Sequence, residues 1–154
     1  MTILWMTGIF LMSAQPADES TNTSLFVGRT IASLTVEGYS DRSPKEQLKL
    51  AEMIDHPVRK TAHILEYTIL GILISLTLNE YRRASYESSM AIAFILGAAY
   101  AATDEFHQLF VPGRSGQISD VALDSAGVLA GCFIVYVLKK IIETGFARKR
   151  VSVP

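Results

Sequence analysis

The chain has 154 residues, 49% of them apolar, with a positive mean hydropathy and a net charge of −1. Near-neutral charge excludes a strongly basic nucleic-acid binder, and an apolar share this high in a short chain points to a membrane protein. The one cysteine, Cys132, lies in an apolar run, so it can form no internal disulfide and says nothing about redox compartment.

Four hydrophobic segments predict an all-α integral membrane bundle, a single domain over residues 1–154 with spans near 2–14, 61–78, 86–103 and 118–138. A helix needs about 20 residues to cross roughly 30 Å of hydrocarbon. The segments TAHILEYTILGILISLTL and ISDVALDSAGVLAGCFIVYVL meet that length, and 86–103 meets it when its ends are counted. The first segment is short, which implies a tilt, a thinned bilayer or a start upstream of Met1. A signal peptide is the rival reading, but no basic n-region precedes the segment and Met12-Ser13-Ala14 matches a cleavage site poorly.

Between the first two spans, residues 15–59 are mixed in character and show no repeat or low-complexity tract. Leu25, Phe26, Ile31 and Leu34 form one apolar set, and Ser43-Pro44 opens another with Leu48, Leu50, Met53 and Ile54. A serine before a proline is a helix start signal, so two short amphipathic helices are expected at the membrane surface. Arg82 and Arg83 follow the second span, and Lys139, Lys140, Arg148, Lys149 and Arg150 lie in a tail over 139–154. Basic residues favour the cytoplasmic side, which places both termini inside and both 15–59 and the 104–117 loop outside.

The polar residues fall on helical faces. Lys60, His63, Glu66 and Tyr67 recur at steps of three and four, as do Asp104, His107 and Gln108. Gln117, Asp120, Asp124, Gly127 and Gly131 share one stripe of the last span, and its GVLAG segment is a small-xxx-small contact. Both acids therefore point at a neighbouring helix. Ionisable groups in such segments are costly and default to a functional reading.

The blocks WMTGIFLMSAQPADES, RKTAHILEYTILGIL and TDEFHQLFVPGRSGQISDVALDSAGVLAG resemble the VanZ-like family, named after a teicoplanin-resistance protein. The last block is the most specific, with DE-x-x-Q, PGR and D-x-x-x-D in order. The resemblance implies a small multi-helix membrane protein of mainly Gram-positive bacteria, associated with reduced glycopeptide susceptibility and with no established reaction. Matching positions are Gln15, Ser20, Ser24, Lys60, His63, Glu66, Tyr67, Asp104, Glu105, Gln108, Arg114, Ser115, Asp120 and Asp124, with His107 inside the last block.

Each position also has a structural reading. Lys60 would anchor a helix end at the headgroups, Tyr67 would pack at the interface, Pro112 and Gly113 would shape a turn, and Asp104 and Glu105 would end a helix at water. Arg114 would pair with Asp120 or Asp124, or receive a carboxylate or phosphate. The candidate catalytic set is His63, Glu66, Asp104, Glu105, His107, Asp120 and Asp124. The candidate binding set is Gln15, Ser20, Ser24, Lys60, Gln108, Arg114 and Ser115. Carboxylates and imidazoles on adjacent helices also suit a divalent metal, although no HExxH or cysteine signature accompanies them.

The leading reading is an envelope protein in the bacterial cytoplasmic membrane whose outer polar cluster binds or modifies a lipid, a lipid-linked cell-wall precursor or a glycopeptide. The alternatives are an intramembrane hydrolase or transferase, a transporter, and a structural protein whose polar residues only lock helix ends. Acids clustered at one end argue against a continuous transport path.

Overall fold

The computed structural model describes residues 1–81 and 85–151, with side chains through 80 and from 85 to 144. Arg82 and Arg83 lie outside the described residues, as do residues 152–154 and the side chains of Arg148, Lys149 and Arg150. Among the described residues the chain is all-helical: α1 (Thr2–Ser13), α2 (Ala17–Thr35), a 3-10 turn (Tyr39–Asp41), α3 (Pro44–Tyr81), α4 (Tyr86–Gln108) and α5 (Ile118–Val151).

Ser43 and Glu46 start α3 with a reciprocal capping box. The Ser43 amide donates to Glu46 at 2.9 Å, and the Glu46 amide donates weakly to the Ser43 hydroxyl at 3.4 Å. The Ser43 hydroxyl, donating to the Glu46 carboxyl at 2.6 Å, and then the Ser43 amide hold that carboxyl below its ordinary pKa. The second amphipathic helix thus begins where expected but does not end before the span. It runs through Pro57 as one helix of 38 residues, about 57 Å long. Pro57 removes the donor that would reach the carbonyl of Met53, and both residues lie on an exposed face where the helix survives the loss. Helix α2 packs on the first half of α3 through Ser24, Gly28 and Ala32, all buried. A Cβ at Gly28 would stand 3.1 Å from the Ala51 carbonyl.

Two further boundaries differ from expectation. Helix α4 continues past residue 103 to Gln108, so Asp104, Glu105 and Gln108 sit on a helix and the connecting loop is only 109–117. Helix α5 continues through the expected tail to Val151.

Helices α3 and α5 run parallel in close contact. A Cβ at Gly127 would lie 2.8 Å from the Ile64 carbonyl and one at Gly131 only 2.1 Å from the Thr68 carbonyl, so the small-residue stripe meets backbone. Helix α4 returns antiparallel beside them through Ser89, Ala93, Gly97 and Ala101. Helix α1 runs alongside: Thr2 bonds Thr77 at 2.9 Å, Trp5 Nε1 donates to the Glu66 carbonyl at 3.0 Å, and the Tyr100 hydroxyl donates to the Met6 carbonyl at 2.7 Å. The shared core includes Ile9, Tyr67, Leu70, Ile74, Val128 and Cys132.

Among the described residues only α3 and α5 are both long and apolar enough to cross a membrane. Helix α1 is apolar but short. Large apolar side chains nonetheless face outward on all five α-helices, including Leu65, Ile69, Ile95, Leu96, Phe133, Ile134 and Leu138, a pattern suited to lipid rather than water.

The Gly131→Leu variant is expected to lose about 3 kcal/mol of stability by thermal unfolding in detergent, because its Cβ meets backbone that cannot yield. Gly8→Ala, with nothing within 4 Å of the new atom, should change stability by less than about 1 kcal/mol. Equal effects of the two would remove the close α3–α5 approach as the organising contact.

Candidate functional site

The parallel register of α3 and α5 sets their polar residues opposite one another at the start of α5. Lys60 Nζ donates to Asp120 Oδ1 at 2.6 Å, and one turn further in His63 Nδ1 stands 3.9 Å from Asp124 Oδ1. Lys60 is therefore engaged with α5, although both partners stay about a third exposed (36% and 27%) and the pair contributes modestly.

From α4, Glu105 accepts from the Gln117 amide at 3.0 Å and from Gln108 Nε2 at 3.2 Å. Asp104 is buried as well, with a long contact from Gln108 at 3.4 Å and its other oxygen unpartnered. Neither acid ends a helix at water. Tyr67 is fully buried rather than interfacial.

The PGR turn docks this end of the bundle on the α1–α2 junction. Gly113 takes φ 74°, a conformation costly for other residues, and a Cβ there would also press on Ala17 at 3.0 Å. The Pro112 carbonyl accepts the Ala17 amide at 3.1 Å, and Arg114 Nε donates to the Gln15 carbonyl at 3.2 Å. Arg114 does not pair with Asp120 or Asp124: among the described residues no carboxylate lies within 4.0 Å of its guanidinium. Burial, then the nearby Arg59, lower its pKa from the ordinary value, partly offset by Glu105 and Asp104.

These groups enclose a polar cavity of about 270 Å³ whose polar lining is His56, Arg59, Lys60, His63, Glu105, Gln108, Arg114, Ser115, Gln117, Asp120 and Asp124. Asp124 is fully buried, and neither carboxyl oxygen has a hydrogen-bond partner. An adjoining, mostly apolar cavity of about 240 Å³ takes in Gln15, Ser20, Ser24 and Glu66, and shares Arg59, His63 and Arg114 with the first.

The structure separates His107 from this group. Its ring packs on Phe10 of α1 at 4.5 Å, and it lines neither cavity. Asp104 also lines neither.

Sequence reasoning missed Asp55 and Arg59. Buried Asp55 accepts from the Ser24 hydroxyl and from Arg59 Nη2 at 2.7 Å, so Ser24 braces α2 against α3. The i, i+4 spacing of Asp55 and Arg59 was the available signal. Among the described residues no three His, Cys, Asp or Glu side chains are grouped to hold a metal ion.

A helical bundle with lipid-suited outer faces and a polar pocket at one end defines a small helical membrane protein. The chain belongs to the VanZ-like family, since the VanZ/LLP1 family model matches residues 1–139. No curated protein and no solved structure matches the chain.

If Asp124 is held in place for a purpose other than folding, removing its charge should not weaken the fold. Asp124→Asn is expected to be as stable as the wild type or more stable by about 1 kcal/mol, measured as the thermal midpoint in detergent. A large loss would assign the carboxylate to the bundle's own integrity.

Proposed function

We propose that the protein is an envelope protein of the Gram-positive cytoplasmic membrane whose polar cavity binds the anionic part of an envelope lipid or glycopeptide at the outer face. One observation carries this reading. Arg114 lines a cavity wall shared with Arg59, and among the described residues no carboxylate pairs with its guanidinium within 4.0 Å. Arg59 is already paired with Asp55, so the uncompensated donors belong to Arg114, whose planar fork suits a phosphate or carboxylate.

The membrane arrangement proposed with it has four spans formed by α1, α3, α4 and α5, with both termini cytoplasmic. The antiparallel order of the four supports it, as does the reach of α1 from Thr77 to the cavity end at Ile9 and Met12. Lys139 and Lys140 near the opposite end of α5 agree with cytoplasmic placement. Exposed Phe106, Leu109, Phe110 and Ile118 surround the cavity end and suit the headgroup boundary.

A second reading is an intramembrane hydrolase or transferase, favoured by the unpartnered Asp124 facing His63 inside the same cavity. In that reading His63 takes a proton from an attacking hydroxyl or water, and Asp124 orients and balances the imidazole.

Teicoplanin protection of a susceptible Gram-positive host should appear with the wild type and fall at least fourfold with Arg114→Ala at equal membrane levels. No protection by the wild type would withdraw the glycopeptide and leave the lipid. For orientation, a cysteine is best placed at exposed Ser119, because a Cβ at Gly116 would strike the Glu105 carbonyl at 2.4 Å. Ser119→Cys should react with a membrane-impermeant maleimide in intact cells, while protection there would invert the topology.

A further inference from the structure

Building on the anion-binding reading, we infer that the occupant is a glycerophospholipid of the surrounding bilayer. Its phosphodiester lies at Arg59, His63 and Arg114, its headgroup in the polar cavity, and one acyl chain along the α2–α3 groove.

The junction is the first argument. Arg59, His63 and Arg114 line both the polar and the apolar cavity, so two guanidiniums and an imidazole stand between two unlike compartments. A soluble anion would use only the polar one.

The apolar compartment also has an outlet. A groove of about 470 Å³ between α2 and α3 shares Val27, Val58 and Ala62 with the apolar cavity and continues past Ile31, Ile54 and Leu65. Thr61 is the only polar side chain on that lining. An apolar track that begins beside two guanidiniums and runs out along a membrane helix matches a chain attached to a phosphate. It does not match a second copy of this protein, for which the charged end would have no use.

The polar compartment narrows the headgroup. Within it Glu105 is already met by Gln117 and Gln108 and Asp120 by Lys60, so the acceptors left without a partner are the two oxygens of buried Asp124. Only donors satisfy such a wall. A hydroxyl or ammonium headgroup, as in phosphatidylglycerol or phosphatidylethanolamine, supplies them, whereas a second phosphate would meet carboxylates of its own sign. The geometry thus selects a phosphodiester with a donor-bearing headgroup over a lipid pyrophosphate.

The test is thermal unfolding of the full chain in non-ionic detergent, titrated with short-chain phosphatidylethanolamine, its deacylated form glycerophosphoethanolamine, and a polyprenyl pyrophosphate. The phospholipid should stabilise the wild type at a concentration at least tenfold lower than the deacylated compound. Ala62→Phe, which fills the groove from an exposed position on α3, should erase that tenfold advantage; Val27→Trp from the facing helix provides the same block. Arg114→Gln should abolish both responses.

Equal potency of the two phosphodiesters, or an unaltered phospholipid response in both groove variants, would overturn the chain assignment. An Arg114-dependent response to the deacylated compound would still leave the anion site standing. Stronger stabilisation by the pyrophosphate would overturn the headgroup assignment. A phospholipid response untouched by Arg114→Gln would remove the anion site together with this inference.

Discussion

The close parallel contact of α3 with α5 is the constraint from which the remaining geometry follows. Glycines 127 and 131 bring the α5 backbone against the carbonyls of Ile64 and Thr68, and Gly71 admits Val128 in return, since a Cβ there would lie 2.3 Å from the Val128 carbonyl. Contact between backbones permits little sliding. A slip of one residue would turn the polar stripe of α5 by about 100°, taking Asp120 and Asp124 away from Lys60 and His63. Apolar packing thus fixes where the charges meet, rather than the charges fixing the packing.

The charges are held at unequal cost. Lys60 and Asp120 keep some contact with the surroundings, and Asp55 is satisfied from two sides by Ser24 and Arg59. Asp124 has neither advantage. A buried carboxylate without donors is among the more expensive arrangements a fold can carry, and apolar or amide side chains of similar size would pack there more cheaply. The loop supplies the opposite imbalance: Arg114 is anchored through Nε to the Gln15 carbonyl, which leaves the outer edge of its guanidinium without a carboxylate. Unmet acceptors on one wall and unmet donors on another favour an occupant that carries both kinds of group.

Much of this was legible in the sequence. The GVLAG stripe announced a close helix contact, the steps among Lys60, His63, Asp120 and Asp124 announced facing polar groups, and Ser43-Pro44 marked the start of α3. What stayed hidden depended on tertiary contacts. The amphipathic segment opened by Ser43-Pro44 and the span from residue 61 look separate in the sequence, yet they form one helix through Pro57, with α2 packed along its first half. His107 shares the spacing of Asp104 and Gln108, but only the position of Phe10 on α1 shows that its ring serves packing. Arg114 stands near two acids in sequence, and its partner proved to be a backbone carbonyl 99 residues away, which no side-chain pattern encodes.

The depth profile of the bundle bears on the choice between passage and binding. Below Asp124 the interior is filled by Tyr67, Leu70, Ile74, Val128 and Cys132, and the described polar groups buried further along, Ser75 and Ser89, carry no ionisable atom. Glu87 and Lys140 pair at 3.2 Å on the exposed surface of the other end, so they extend no interior path. An ion or proton relay needs successive polar stations across the hydrocarbon. Here the stations stop within the first turns of α5 and open sideways, past Arg59 and Arg114, to the apolar groove between α2 and α3. A pocket closed below and open to an apolar groove is poorly arranged for transport, and it suits the amphiphile proposed above.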